Sequence, residues 1–266
     1  MCIAKRESFL KVYNLTKKII LITQARIGGS RFPGKVLKSI GSLTMLGLQL
    51  YRLKKSELLD HIIVATTNES GSDEIISICK KENVDFYRGS TYDVLDRFYK
   101  AAKPFLPSHV VRVTSDCPLI DPKLLDSIVK KAIDMDIDYC SNVLDESYPD
   151  GQDIEVFKFS VLKEAWLNSS LKSEREHVTP FIKKNSNFKG GFLFKSFNYT
   201  VDAKFSNIRM TVDQKEDLET IKILVNKLGI DNDWFVYAKY ISENPKLFKN
   251  QNILRNQGYY KSLKND

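Results

Sequence analysis

A glycine-rich and positively charged loop follows the first predicted strand. Residues 26–35 contain three glycines and three cations, which are Arg26, Arg31 and Lys35. Glycines let backbone amides approach an anion closely, and Arg and Lys side chains supply charge for phosphate oxygens. Because the loop comes directly after a buried strand, this pattern predicts a triphosphate as its ligand. The alternative is an ordinary surface loop whose cations are solvated.

The same loop partly matches the phosphate loop of many ATPases and GTPases. Residues 29–35 fit the start of G-x-x-x-x-G-K-[ST], but Val36 then has no hydroxyl to offer a magnesium ion. Such an enzyme would also begin a helix at Lys35, whereas Val36 and Leu37 lead toward another loop at residues 40–42. A P-loop NTP hydrolase therefore stays an alternative.

Two predicted strands each end at an aspartate. Asp116 follows the strand at residues 110–114, and Asp213 follows the strand at residues 208–212. Two carboxylates at the same edge of a sheet can share Mg²⁺, which prefers carboxylate and phosphate oxygens and would neutralise a leaving pyrophosphate. Each aspartate alone could instead cap the helix or turn that follows it. The pair, together with the cationic loop, predicts a magnesium site.

The elements that must position these residues alternate along the chain from about Lys17. Short β-branched runs predict strands, and the amphipathic segments between them predict helices. This alternation predicts an α/β fold with a mainly parallel sheet and helices on both faces. The predicted strands are residues 19–23, 61–66, 84–87, 110–114, 139–142, 154–159 and 208–212. The predicted helices are residues 45–55, 73–81, 92–102, 123–133, 161–168, 175–184, 215–227 and 234–242.

Composition and charge limit the classes of partner. Of 266 residues, 42% are hydrophobic, so the chain can bury a full core. Residues 1–18 carry five cations and one carboxylate, as do residues 244–266, so the net charge of +8 lies at the two ends. Solvated tails explain that charge, and a nucleic-acid partner is not expected. We expect an N-terminal extension at 1–17, one domain at 18–230, and a helical tail at 231–266 packed on or beside it.

The positions of the cysteines, histidines and apolar runs argue against zinc-binding, disulfide-bonded and membrane-spanning proteins. The four cysteines and three histidines do not cluster, so neither a zinc site nor a disulfide framework is predicted. No apolar run approaches the roughly 18 residues of a membrane span, and the start of the chain lacks the apolar core of a signal peptide. The sequence therefore predicts a cytoplasmic protein without a membrane partner. The aromatic residues 234–240 are typical of a helix with an apolar face, and packing against a second subunit in a homodimer is the alternative.

Six ordered motifs resemble a known enzyme family. Residues 24–37 resemble the A-R-x-x-S-x-R-L/F-P-G-K-x-L signature of the acylneuraminate and 3-deoxy-octulosonate cytidylyltransferases. The whole set is more similar to the branch typified by the spore-coat polysaccharide biosynthesis protein SpsF, and it covers about residues 18–230. The other five motifs are at residues 88–97, 114–122, 148–157, 175–180 and 211–218.

The resemblance implies a Rossmann-like nucleotidyltransferase fold and a reaction. CTP would be the donor, magnesium the cofactor, and a hydroxyl of an acidic sugar the group that attacks the α-phosphate, releasing pyrophosphate for surface polysaccharide biosynthesis. It implies catalytic and phosphate-binding roles for Arg26 and Lys35, and metal binding by Asp116 and Asp213. The nucleotide would be bound by Ala25, Arg26, Gly28, Gly29, Ser30, Arg31, Lys35, Arg88 and Ser115. The sugar would be bound by Arg97, Gln152, Asp153, Arg175 and His177.

The resemblance leaves some alternatives and departures. Ser115 stands where the family usually has glycine, and residues 1–17 have no counterpart in the motifs. SpsF-type relatives could be glycosyltransferases or non-catalytic proteins. His177 could serve as a base, although a helix residue that positions substrate is favoured. Cys117 could be a nucleophile, although an in-line displacement needs no covalent step, which favours a small turn residue.

Overall fold

The computed structural model describes residues 18–29, 31–201 and 205–266. The predicted extension at residues 1–17 and the predicted nucleotide contact Ser30 lie outside these residues. The strands in the described ranges are β1 (Ile19–Gln24), β2 (Ser39–Ile40), β3 (Leu43–Thr44), β4 (His61–Thr67), β5 (Asp85–Gly89), β6 (His109–Thr114), β7 (Tyr139–Ser141), β8 (Glu155–Lys158) and β9 (Ser196–Asn198).

Ten α-helices and several single 3-10 turns connect these strands in the described part of the chain. The helices are α1 (Met45–Leu53), α2 (Ser72–Lys81), α3 (Val94–Ala102), α4 (Pro122–Asp134), α5 (Phe159–Asn168), α6 (Lys172–His177), α7 (Pro180–Lys184), α8 (Lys215–Leu228), α9 (Trp234–Glu243) and α10 (Gln257–Ser262). The 3-10 turns are Lys35–Leu37, Lys103–Phe105, Asn187–Lys189, Pro245–Leu247 and Leu263–Asn265. None of these helices is long and apolar enough to cross a membrane.

Seven strands form one mainly parallel sheet in the order β5-β4-β1-β6-β8-β7-β9. Only β8 runs antiparallel to its neighbours, β6 and β7. β1 lies in the interior of the sheet, where Ile20 pairs with His61 of β4 on one side and with Val110 of β6 on the other. The chain therefore adds strands on both sides of β1, and the predicted mainly parallel α/β sheet is confirmed.

Helices cover both faces of the sheet because successive residues of a strand point to opposite sides. In β1, Leu21 belongs to one hydrophobic core and Ile20 and Ile22 to the other, and all three are fully buried. The first core includes buried side chains of α1, α2, α4, α8 and α9, and the second those of α3, α5 and α7. The predicted layers of helix, sheet and helix are confirmed.

The segment 208–212 is not a strand of the sheet, although its pattern predicted one. It forms an isolated bridge between Asp150 and Arg209, and Met210 N donates to Asp150 O at 2.6 Å. Val212 N donates to Asp116 O at 2.8 Å, so the segment pairs with loops beyond the strand ends. β9, which was not predicted, occupies the sheet edge beside β7.

The predicted helix at residues 175–184 is broken into α6 and α7. Val178 between them has a φ of 71°, which a β-branched residue adopts only under strain. Pro180 opens α7, and the residue before a proline is disfavoured in a helix. His177, the last residue of α6, lies directly before this break.

The residues after α8 pack against the domain. Tyr237, Ala238 and Ile241 of α9 are buried in the first core. Asp121, which caps α4 through Lys123 N at 2.8 Å, also accepts a hydrogen bond from Trp234 N at 2.8 Å. The boundary at residue 230 stays a prediction.

Candidate active site

A cavity of about 650 Å³ opens at the carboxyl ends of β1 and β6. The chain leaves these adjacent strands in opposite directions along the sheet, and such a switch point is where open α/β sheets bind ligands. We call this the central cavity. Its lining comes from the loop after β1, the end of β6, the start of α3, the end of α6, α10 and Asp213.

Lys35 brings the two predicted metal aspartates together. Its Nζ lies 3.0 Å from Asp213 Oδ1, 3.4 Å from Asp116 Oδ2 and 2.7 Å from Val212 O. Burial works to lower the pKa of Lys35, but Asp116 and Asp213 outweigh it and raise that pKa above its ordinary value. Burial works to raise the pKa of Asp116, and the charge of Lys35 outweighs it. Lys35 and Asp116 are therefore both charged near neutral pH.

Local structure explains why the lysine reaches the aspartates. Gly34 has a φ of 66°, a left-handed conformation that favours glycine, and its N–H donates to Ile27 O at 2.9 Å to close the loop. Phe32 and Val36, which flank Gly34 and Lys35 in the sequence, are buried and fix the loop to the core. Lys35 begins only a single 3-10 turn, Lys35–Leu37, rather than the long helix of a P-loop.

Arg209 and Asp217 hold Asp213 in position. Arg209 Nε and Nη2 donate to Asp217 Oδ1 and Oδ2 at 2.8 and 2.9 Å, and Nη2 lies 3.5 Å from Asp213 Oδ2. Asp217 Oδ2 in turn accepts from Asp213 N at 2.8 Å. Sequence reasoning missed Arg209, although it lies just before the Thr211-Val212-Asp213 motif that also contains Asp217.

The aspartate pair fits a hard divalent cation. No group of three or more potential metal ligands occurs among the described residues, so the protein would supply only two carboxylates. Mg²⁺ is commonly held by one or two carboxylates together with substrate phosphates and water. Asp116 and Asp213 already converge on one positive charge, the ammonium of Lys35. They are the residues that would hold the metal.

Arg26 and Arg97 present further positive charge to the central cavity. Arg26 has neither an ion pair nor a side-chain hydrogen bond with any residue that the structure describes. Arg97 is buried, donates from Nη1 to Ala65 O at 3.2 Å, and leaves its Nε without a partner. Burial, assisted by the charge of Arg26, lowers the pKa of Arg97 to about 10, which still leaves it protonated. An anion in the cavity would satisfy both guanidinium groups.

The other predicted nucleotide contacts divide into two groups. Ala25, Gly29, Arg31 and Ser115 line the central cavity, and Arg31 Nη2 also pairs with Asp213 Oδ1 at 2.9 Å. Gly28 and Arg88 do not line it. A methyl group at Gly28 would face the Glu69 carboxylate, and Arg88 pairs with the exposed Asp73.

The predicted sugar contacts also divide. Arg97 and His177 line the central cavity, but three others do not, and their contacts fix the surrounding loops. The buried Gln152 accepts from Asp121 N and donates to Leu119 O, both at 2.9 Å. Asp153 pairs with Arg255 at 2.6 Å, and Arg175 Nε donates to Asp93 at 3.0 Å. Direct sugar contacts for these three stay predictions without support from their placement.

His177 and Cys117 are both uncharged in this site. Burial lowers the pKa of His177 to about 4, with Arg112 and Lys183 acting in the same direction, and Nε2 lies 2.9 Å from Ser262 Oγ. Burial and Asp116 raise the pKa of the Cys117 thiol well above its ordinary value. A protonated, buried thiol favours the interpretation of Cys117 as a turn residue.

Sequence reasoning missed the contribution of α10 to the cavity wall. Gln257, Gly258, Lys261 and Ser262 all border the central cavity. Apart from the excess of cations near the end of the chain, nothing in the local pattern pointed to them.

A model of the family described as Cytidylyltransferase matches residues 20–261. The chain belongs to the cytidylyltransferase family. It is therefore a nucleotidyltransferase, and the general reaction of its family is transfer of CMP from CTP. This membership confirms the resemblance that the motifs indicated and leaves the P-loop hydrolase without support.

Relatives of this cytidylyltransferase agree with that assignment. The spore coat polysaccharide biosynthesis protein SpsF of Bacillus subtilis is 33% identical over 217 residues, covering 79% of this chain and 88% of SpsF. A solved cytidylyltransferase from Leptospira borgpetersenii is 35% identical, with a TM-score of 0.83, over 90% of this chain and all of that one. The predicted nucleotidyltransferase fold is confirmed.

A more distant structure shows the same fold. CMP:2-keto-3-deoxy-manno-octonic acid synthetase, solved in complex with CTP, has a TM-score of 0.59 at 15% identity and covers 79% of this chain and 99% of that one.

Proposed function

We propose that this cytidylyltransferase transfers CMP from CTP to an acidic sugar of the ulosonic or nonulosonic type and releases pyrophosphate. The product would serve the synthesis of a surface polysaccharide. The observation that carries this proposal is the convergence of Arg26, Lys35 and the Asp116–Asp213 pair on one cavity. The SpsF relative and the fold shared with an octonic acid synthetase support the choice of acceptor and pathway class.

The charge of the cavity suits two anionic substrates. Arg31 and Lys35 already face carboxylates, whereas Arg26 and Arg97 have no carboxylate partner among the residues that the structure describes. A triphosphate bound beside the loop after β1 would engage Arg26, Lys35 and Arg31. Arg97 reaches the cavity from α3, and its Nη1 donates to Ala65 O, the carbonyl that also accepts from Ala25 N, so it adds positive charge beside that loop.

In the proposed reaction, a sugar hydroxyl oxygen forms a bond to the α-phosphorus of CTP. The bond from that phosphorus to the oxygen bridging to the β-phosphate breaks, and pyrophosphate leaves with the bond electrons. Arg26 and Lys35 align the phosphates and neutralise the charge on the leaving group, which is the main requirement of such a displacement. A divalent metal held by Asp116 and Asp213 would add charge neutralisation at the phosphates. The sugar proton passes to solvent, because burial lowers the pKa of His177 to about 4 and leaves it a weak base.

The direct test is pyrophosphate release from purified protein with Mg²⁺, CTP and a panel of sugar acids that includes 3-deoxy-octulosonate and an acylneuraminate. We expect release only when CTP and an acid are both present, with UTP and neutral sugars as controls. Release of orthophosphate without a sugar would indicate a hydrolase. A requirement for a preformed sugar nucleotide would indicate a glycosyltransferase, and inactivity with every acid would contradict the proposed acceptor.

A further inference from the structure

Residues 255–266 cross from one side of the central cavity to the other. We call this segment the C-terminal strap. It contains α10, and both of its ends are attached to the domain through charged or polar side chains. The reaction proposed above assigns it no role.

The first attachment is Arg255. Its guanidinium lies 2.6 Å from Asp153, 3.4 Å from Glu146 and 3.7 Å from Asp150, and the side chain is only 14% exposed. Burial works to lower the pKa of Arg255, but the carboxylates, with Asp153 first, raise it above its ordinary value. Three carboxylates from residues 146–153 therefore hold the start of the strap.

The second attachment lies at α6. Asp266 Oδ1 accepts from Ser173 N at 2.7 Å, and Asp266 also accepts from the Ser173 hydroxyl. Ser262 Oγ lies 2.9 Å from His177 Nε2, and the Tyr259 ring packs edge-on against the His177 ring at 5.2 Å. The end of the strap is thus fixed to the helix that contributes His177 to the cavity.

Between its attachments the strap forms part of the cavity wall. A methyl group at Gly258 would lie 3.5 Å from Arg31 Nη2, so the start of α10 lies beside the predicted phosphate loop. One helical turn further on, Lys261 borders the cavity near the His177 attachment. Lys261 has no ion pair with the residues that the structure describes, and its ammonium is available to a ligand.

We propose that the C-terminal strap forms the sugar side of the cavity and that Lys261 recognises the carboxylate of the acidic sugar. The inference rests on the proposed function. The loop after β1 already supplies Arg26, Arg31 and Lys35 for the phosphates. Lys261 comes from a different element beside His177, and a second anion is the group that its charge can select.

The test compares the wild type with Lys261→Gln, Lys261→Arg and a matched control, Lys264→Gln. Both lysines border a smaller outer cavity of about 390 Å³, but Lys264 does not border the central cavity as Lys261 does. Pyrophosphate release gives kcat and KM for the best sugar acid of the panel and for its uncharged C1 amide. Calorimetry gives the Kd for CTP, and thermal unfolding checks that each variant folds.

We expect Lys261→Gln to raise KM for the acid about tenfold or more, with the Kd for CTP within about twofold of wild type. Its KM for the amide should change little, so the preference for the acid is lost. Lys261→Arg should keep most of that preference because it keeps the charge, and Lys264→Gln should behave as wild type.

An unchanged KM for the acid would overturn the role of Lys261, as would equal weakening of acid and amide. A loss of CTP affinity that matches the loss of acid affinity would place Lys261 on the nucleotide instead and would also overturn it. If the wild type accepts no acid, the proposed function fails and this inference fails with it. If the wild type accepts the acid and Lys261→Gln has the same KM for it, only the inference about Lys261 is contradicted and the proposed function stands.

Discussion

Lys35 is the residue on which the two aspartates of the site converge. We expect Lys35→Gln to lower kcat by about a hundredfold or more, because the ammonium supplies charge to the phosphates. The melting temperature should also fall, because the ion pairs with Asp116 and Asp213 are lost. Lys38→Gln is the matched control, since Lys38 is exposed, just beyond the same 3-10 turn. Near-normal turnover of Lys35→Gln at saturating CTP would rule out its catalytic role.

Asp116 and Asp213 provide a test of shared metal binding. If both hold one Mg²⁺, Asp116→Asn and Asp213→Asn should each shift the rate to higher Mg²⁺ concentration. The double variant should then lose much less than the sum of the two single losses, because after the first ligand is lost the second has little left to contribute. The measurement is rate against Mg²⁺ for all four proteins. Unchanged magnesium curves with lowered melting temperatures would show that the aspartates are structural.

His177 makes stability depend on pH. Its folded-state pKa of about 4 is below its ordinary value of 6.5, so the unfolded chain binds the proton more tightly. Protonation of the unfolded chain at this histidine therefore lowers the free energy of unfolding as the pH falls from 6.5 toward 4, and has no such effect above pH 6.5. We therefore expect the melting temperature of the wild type to fall more than that of His177→Gln between pH 7.5 and about 5.

The comparison with the variant is needed because another group titrates in the opposite sense. Burial and Asp153 raise the pKa of Asp150 from 3.8 to about 7. Between these two values the folded state becomes less stable as the pH rises, because the folded chain holds this proton more tightly than the unfolded chain. Asp150 is present in both proteins, so the difference between them reports on His177. Parallel pH curves for the wild type and His177→Gln would contradict the prediction.

At the scale of elements, the bridge between residues 150 and 209 depends on a close approach of two backbones. Gly151 has a φ of 110°, and a methyl group there would lie 2.7 Å from Thr211 N. We expect Gly151→Ala to lower the free energy of unfolding by about 3 kcal/mol or more, through backbone strain and overpacking together. It should also lower activity, because Asp213 follows the displaced segment. Urea denaturation measures the first effect.

Gly190 offers a control that separates the two causes. It also has a positive φ, of 80°, but a methyl group there would meet nothing within 4 Å. Gly190→Ala should therefore cost only the backbone strain, about 1–2 kcal/mol, and leave activity unchanged. Equal losses in the two variants would mean that the close contact at Gly151 is not the cause.

At the scale of the whole molecule, the family match and the first strand both begin after the predicted extension, at residues 20 and 19. We expect a protein that lacks residues 1–17 to keep the kcat and KM of the full chain, because the described part of the chain already supplies the glycine loop, the two aspartates and α10 to the central cavity. The measurement is pyrophosphate release by both proteins at equal concentration. A truncated protein that stays folded yet is inactive would show that the extension completes the site or an interface.

Local chemistry in the sequence was enough to indicate the fold class and the main ionic groups. β-branched runs and amphipathic segments show which face of each strand or helix is buried. This pattern depends only on residues close together in the sequence, so it can be recognised without the tertiary structure. The glycines and cations at residues 26–35 likewise lie within one loop, so their affinity for phosphate could be inferred before the loop was placed. The aspartates Asp116 and Asp213 were found because each follows a strand-like run.

Tertiary structure alone decided which of those groups meet. Lys35 contacts Asp213 across 178 residues of sequence, and Arg255 contacts Asp153 across 102. No periodic pattern reports such contacts, because they depend on the path of the chain between the two residues. The segment at residues 208–212 has the pattern of a strand but pairs with loops, since a pattern records burial and not the partner that provides it. For the same reason, the cavity wall formed by Lys261 became visible only in the folded chain.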